Sequence, residues 1–272
     1  MIMSNTFREK LAKQEPTVGT HFLSSDPDIP EIIGDTGLYD YGEFCAEYAA
    51  FDMPLLYHMA RAGQCGNLPL MIKPDQKSES FWAQAALGAG FKAVLFTDIR
   101  TPADIVRCQQ AIRPDTPENR GHMGVKLRRP ALSGYSDQGP GSSPESYVQD
   151  LKSVVFLIMI EKNVAVENLD EVLSTAKECG VDMTQWGPAD YGFSRGEPNM
   201  MNTPEIQPVE ELVIRKCIEC GIHPRTEIGD PEKAKRYVDL GVRHFCVGWD
   251  RFFYQRNLLQ VGESMQKIVE AL

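Results

Sequence analysis

Short apolar runs alternate along this chain with longer segments whose apolar residues recur at helical spacing. A polar helix over Phe7–Lys13 precedes a β-rich run at Thr17–Leu23, which stops at Ser24-Ser25-Asp26-Pro27, a turn and helix start. Ile29–Asp35 reads as a short helix closed by Gly37. Tyr39–Glu47, Leu68–Ile72 and Lys92–Phe96 follow as strands. Their helices fall at Asp52–Ala62, Ser78–Leu87 and Pro102–Ile112, with Thr101 placed to cap the last. A fifth strand, Val154–Ile160, ends on Glu161, and a helix opened by Asn168 leads to a short sixth strand ending in Gly187-Pro188-Ala189-Asp190. Beyond a loop at Tyr191–Thr203 come a helix near Val209–Cys220, a seventh strand at Ile222–Ile228 and a helix from Asp230-Pro231 through Leu240. The eighth strand, Val242–Val247, runs into Gly248-Trp249-Asp250. The last helix, Phe252–Leu272, carries Leu258, Leu259, Met265, Ile268 and Val269 on an apolar stripe.

Eight strands, each followed by a helix and with no repeat or linker to divide them, predict an α/β fold. The regular alternation favours a single (β/α)8 barrel over residues 1–272 rather than a doubly wound sheet. In such a barrel the chemistry sits at the C-terminal ends of the strands. Glu161 and Asp190 occupy two of those ends, separated by one helix. Two hard oxygen ligands so placed suit a divalent cation such as Mg²⁺ or Mn²⁺. The same two residues also read as a strand-end surface charge and a turn residue. The stretch Arg113–Ser146, rich in Pro, Gly, Ser and Arg, is long for a connection inside a barrel, and long loops there are usually functional.

Composition narrows the setting. At 42% hydrophobic residues the chain can fill a sizeable core, and it contains no apolar run long enough to span a bilayer. The opening MIMSNTFREKLAKQEP lacks the apolar centre of a secretory signal. A formal charge of −10 argues against nucleic acid as a partner. Seven cysteines scattered through strands and helices fit reduced thiols and a cytoplasmic location. The CxxC at Cys217–Cys220 lies within a helix and reads as packing.

Glu161, the NLDE of Asn168–Glu171, the GVD of Gly180–Asp182 and the GPAD of Gly187–Asp190 resemble the metal-dependent pyruvate aldolases of the HpcH/HpaI family. Arg120-Gly121, the KRYVDLG of Lys235–Gly241 and the VGWD of Val247–Asp250 extend the resemblance over nearly the whole chain. It implies a (β/α)8 barrel, assembled as a hexamer from dimers that exchange their last helix. It also implies Mg²⁺, Mn²⁺ or Co²⁺ held by Glu161 and Asp190 and chelated by a 2-oxo acid. The implied reaction is a lyase's, forming or cleaving 4-hydroxy-2-oxo acids from an oxo acid and an aldehyde. The backbone around Gly187, Pro188 and Ala189 would receive the substrate carboxylate, while Arg128 and Arg129 sit where the family's loop reaches the distal end of the substrate.

The chain departs from that family around the metal pair. Where the family has Asp-x-Glu-His, this chain reads Cys45-Ala46-Glu47-Tyr48. Lys73 stands for an Arg, and Met159 for a Gln. Retained metal chemistry on an altered substrate is one expectation. A related lyase or decarboxylase acting on another 2-oxo acid, or a non-catalytic descendant that binds metal and oxo acid, are the others. His21 is a candidate base in place of the family's His, or a buried hydrogen-bonded imidazole. Tyr48 is a candidate proton donor and a poor base, with an ordinary pKa of about 10, unless a cation such as Lys73 lowers it. Lys73 is itself a candidate contact for a substrate oxyanion, with a Schiff base as the rival reading. Glu47 either orders metal-bound water or caps its strand. Trp186 reads as barrel wall, Asp250 as a residue of the site or of an interface, and His58, His223 and His244 lack the partner spacing of metal ligands.

Overall fold

Strands buried on both faces are predominantly apolar, and four of the strands here have every residue buried: β2 (Tyr41–Phe44), β3 (Leu70–Ile72), β4 (Ala93–Phe96) and β5 (Val155–Ile160). With β1 (Thr17–Phe22), β6 (Met183–Trp186), β7 (His223–Ile228) and β8 (His244–Trp249) they complete the set. The computed structural model describes residues 4–125 and 144–272. Among the described residues the eight strands run parallel in sequence order, and β8 pairs with β1 to close the barrel. The expected (β/α)8 architecture is therefore present. Arg128 and Arg129 lie outside the described residues.

Two apolar layers hold the barrel. Outside, strand residues such as Phe22, Phe96 and Phe156 pack against Leu56, Ile105, Val172 and Val213 from the surrounding helices. Inside, Met71, Ala93, Leu95, Val155, Leu157 and Met183 fill the lumen. Its N-terminal end is plugged by the helix Thr6–Ala12, whose Phe7 stacks on Tyr41 with ring centroids 4.4 Å apart. Arg8 fastens that helix by a bidentate bond to Asp182, both oxygens at 2.6 Å.

The structure differs from the sequence reading in places that matter for the site. Residues expected as loop after Asp190 instead begin with a short helix, Pro188–Ser194. Gly187 precedes it and Pro188 opens it, a position where proline's fixed φ and missing N–H are no handicap. Asp190 thus sits in the first turn of a helix. The eighth strand runs two residues further than expected, to Trp249, and its pairing with β1 is irregular, His21 lying opposite Trp249. Gly248, at φ +66, absorbs the bulge.

Candidate active site

Along β1, β2, β7 and β8 the lumen changes from apolar to polar toward the C-terminal end. His21, Glu43, Arg225 and Cys246 are all buried there. The Arg225 guanidinium ion-pairs with the Glu43 carboxylate at essentially zero exposure. Burial works against the Glu43 anion, but Arg225, His21 and Lys73 outweigh it and hold its pKa below the usual carboxylate range. Ligand atoms of His21, Glu43 and Cys246 fall within 4.8 Å of one another, a spacing open to a metal ion. Arg225 already supplies the cation in their midst, so the cluster forms a paired polar floor.

Above that floor, Lys73 at the end of β3 is 9% exposed and ion-paired to Glu47 Oε2 at 2.8 Å. Burial disfavours its ammonium, but Cys45, Glu47, Tyr48 and Glu43 more than compensate and raise its pKa above the ordinary lysine value. A lysine held this firmly charged is not an imine-forming nucleophile. Tyr48, 58% exposed at the rim, has its ring centroid 5.3 Å from Lys73 Nζ. Burial of its hydroxyl raises the phenol pKa; Lys73 opposes that shift without reversing it. The lysine therefore does not turn Tyr48 into a base. His21 is 1% exposed, and burial, reinforced by Arg225 and Lys73 against Glu43, lowers its pKa to about 3. Its imidazole is neutral at physiological pH.

The two carboxylates singled out from the sequence are joined through Asp98. Glu161, 4% exposed, accepts the Asp98 backbone N–H at 2.7 Å. The Asp98 side chain binds Lys162 Nζ at 2.6 Å, and Lys162 reaches on to Asp190 Oδ1 at 2.8 Å. Arg100 closes the far side of Asp98 at 3.1 Å. Asp98 itself adopts φ +64, a left-handed conformation uncommon for a non-glycine residue and held here by three partners. Burial, with Asp190 and Glu47 adding and Lys73 opposing, pushes the Glu161 carboxyl up to about 8. Gly187 passes so close that a Cβ there would lie 2.5 Å from Glu161 Oε2. Its own N–H donates to the Ile160 carbonyl at 3.1 Å and Pro188 has none. The N–H groups of Ala189 and Asp190, in the first helical turn, have no intrahelical acceptor.

On the opposite wall stands a carboxylate that sequence reasoning passed over. Glu227, on β7, accepts Trp249 Nε1 at 2.9 Å and Gln185 Nε2 at 3.3 Å, with His21 Nδ1 3.6 Å away. Lys162, Asp98 and the Glu43–Arg225 pair were missed too. For Arg225 and Glu227 the one signal is that β7, His-Pro-Arg-Thr-Glu-Ile, is polar where most of its sister strands are apolar, while Asp98 and Lys162 each stand two residues past a strand end. Other expectations resolve into structure. Asp250 accepts the N–H groups of Leu23 and Ser24 at 3.1 and 2.9 Å and fastens the end of β1. Trp186 packs on Tyr191, and His223 and His244 touch each other at the opposite end of the barrel.

The chain that builds this barrel mouth matches a known group of proteins. The family described as HpcH/HpaI aldolase/citrate lyase covers residues 48–254. The chain belongs to that family. It is an enzyme, a lyase of the aldolase kind. A 2-keto-3-deoxy-L-rhamnonate aldolase of Salmonella typhi is 28% identical over 99% of this chain and 97% of its own length. An HpcH/HpaI aldolase/citrate lyase family protein of Burkholderia cenocepacia superposes with a TM-score of 0.81 at 23% identity, over 97% of this chain and all of its own. An HpcH/HpaI aldolase of Desulfitobacterium hafniense gives 0.80 at 20% identity, over 95% and 96%. At those identities the two structures establish the shared fold.

Proposed function

We propose that this lyase cleaves, and in reverse forms, 4-hydroxy-2-oxo acids with the help of a divalent cation, the products being a pyruvate-type 2-oxo acid and an aldehyde. The observation that carries the reading is the buried Glu161 carboxylate, tied through Asp98 and Lys162 to Asp190 and left room by Gly187. A buried carboxylate whose pKa is forced upward gains most from a cation, and two hard oxygen donors suit Mg²⁺ or Mn²⁺, with Co²⁺ also accommodated. Bound there, the cation would draw charge from the 2-oxo group and stabilise the negative charge that develops on it as the carbon–carbon bond breaks.

The protein's own residues divide the remaining work. Lys73, permanently charged, meets the anionic oxygens of the substrate, and Glu47 fixes its position. The backbone turn of Gly187, Pro188 and Ala189 seats the substrate carboxylate, with the Ala189 N–H as donor. Tyr48, a phenol throughout the physiological range, donates a hydrogen bond from the rim. His21 lies beneath as a neutral imidazole supporting the opposite wall. The C-terminal helix Asp250–Val269 leaves Leu258, Leu259, Met265 and Ile268 exposed, which suits assembly with further copies of the chain, a hexamer by family resemblance. We place the enzyme in the cytoplasm, where its cysteines, all free, stay reduced. No helix among the described residues is long and apolar enough to cross a membrane.

Exchange of pyruvate methyl protons in deuterated water, followed by NMR, tests the reading. Exchange is expected with Mg²⁺ or Mn²⁺, lost with EDTA and restored by excess metal. No exchange with any of the three metals, together with no cleavage of 4-hydroxy-2-oxo acids, would overturn it.

A further inference from the structure

The residues given a role so far leave the reaction without a proton carrier. Aldol cleavage needs one group to take the proton of the 4-hydroxyl and to give one back at C3. Tyr48 holds its proton too tightly, His21 too weakly, and burial raises the Cys45 thiol well above its usual range. Glu47 is committed to Lys73.

We propose that Glu227 is that carrier, a catalytic residue that touches the substrate's 4-hydroxyl from the β7 side of the barrel mouth. Three observations support it. First, its carboxylate is placed rather than free. Trp249 Nε1 at 2.9 Å and Gln185 Nε2 at 3.3 Å clamp one oxygen each, and the β8 bulge at Gly248 brings Trp249 to that position. The edge of the Trp249 ring in turn meets His21, centroids 3.8 Å apart at 86°. Second, its side chain is 33% exposed, in contrast to the sealed Glu43 three strands away, so a substrate in the mouth can reach it. Third, it stands at the same end of the barrel as the metal pair. Only β6 separates β7 from β5, and Gln185 of β6, which binds Glu227, lies opposite Met159 of β5, two residues before Glu161.

The environment also tunes Glu227 for the task. Burial, with Glu43 adding and Arg225, Lys73 and the Gln185 bond opposing, pushes it up to about 7. His21 lies beside it, and the thiols of Cys45 and Cys246 interact with it as well. A carboxyl near 7 is half-ionised at neutral pH and suited to both halves of a proton transfer. In cleavage the carboxylate accepts the 4-hydroxyl proton, and the O–H electron pair becomes the aldehyde C=O. The C3–C4 pair passes to the 2-oxo fragment as an enolate, and Glu227 then returns the proton to C3. The proton ledger closes without any further reactant.

The assignment rests on the aldolase reading, and the test separates the two. Wild-type and Glu227→Gln enzymes are compared for metal-dependent retro-aldol cleavage, with metal and pyruvate affinity measured by calorimetry. The expected result is a fall in kcat of about 100-fold or more with both affinities unchanged. The wild type should also lose rate as pH falls through about 7, where the carboxylate protonates, and the residual rate of E227Q should lack that limb. Trp249→Phe removes a bond to the charged carboxylate, so its acidic limb should move to higher pH. E227Q cleaving at close to the wild-type rate, keeping the acidic limb, or losing metal or pyruvate binding would overturn the assignment while leaving the aldolase reading intact. A wild type with neither exchange nor cleavage would overturn both.

Discussion

Replacing Gly187 by alanine isolates the geometry on which the metal site depends. At φ −117 and ψ 89 the backbone of Gly187 is open to alanine, so the substitution brings no conformational strain. The added methyl is the whole perturbation. It would lie 2.5 Å from Glu161 Oε2, 2.7 Å from Glu161 Cβ and 2.9 Å from Met159 Cε. Met159 can yield, since a thioether chain bends easily. Glu161 has little freedom, being 4% exposed and held by the Asp98 N–H at 2.7 Å. If Glu161 stays, overpacking should cost about 1–3 kcal/mol. At roughly 2 cal/mol/K of unfolding entropy per residue, that lowers Tm by about 2–5 °C. If Glu161 swings away, stability is spared but the carboxylate leaves its place opposite Asp190. Mn²⁺ affinity should then fall by at least about tenfold, or 1.4 kcal/mol. Thermal melts in EDTA and calorimetric Mn²⁺ titration of G187A read the two outcomes, one of which must appear. A variant with wild-type Tm and wild-type Mn²⁺ affinity would refute the argument that Gly187 is required by Glu161.

Two further outcomes follow from the buried charges. Glu43→Gln leaves the Arg225 guanidinium buried without its counter-charge and should cost about 3–5 kcal/mol in urea unfolding, whereas replacing both, as E43L/R225M, should cost much less; equal costs would show that the ion pair is not what the barrel floor needs. In metal-free buffer, Glu161 and Glu227 hold protons that the unfolded chain, with carboxyl pKa values near 4.5, has already released, so their contribution to stability declines as pH rises toward about 7 for Glu227 and about 8 for Glu161. Saturating Mg²⁺ or Mn²⁺ should therefore raise Tm more at pH 8 than at pH 6, and an equal or smaller gain at pH 8 would contradict the raised Glu161 pKa.

Much of this protein is legible along the chain. The alternation of short apolar runs with helical segments dictates eight strand–helix units. The rule that a barrel's chemistry lies at the C-terminal strand ends then picks out Glu161, which follows directly on β5, and Asp190, four residues beyond β6. Lys73, Tyr48 and Glu47 are legible in the same way. Two local features escaped that reading. Tyr191–Thr203 reads as a loop from its Gly, Pro and Asn content, whereas its first four residues continue the helix that Pro188 begins. Gly248 reads as the end of β8, whereas it is the bulge beyond which the strand runs on to Trp249.

What only the tertiary structure decided is which polar groups share a space, and hence what each can do. Strands buried on both faces show no alternation to say which residues point into the lumen. Glu43, Arg225 and Glu227 therefore carry no mark of their meeting, although they come from positions as far apart as 43 and 227. Burial is likewise a property of the closed barrel. It keeps His21 neutral, works against a Lys73 ammonium that Cys45, Glu47 and their neighbours nonetheless keep charged, and leaves Glu227 balanced near neutrality. The sequence by itself determined the barrel and where its carboxylates would emerge. Closure of the sheet determined their ionisation, because the energy of a charge depends on neighbours and solvent that no linear spacing records.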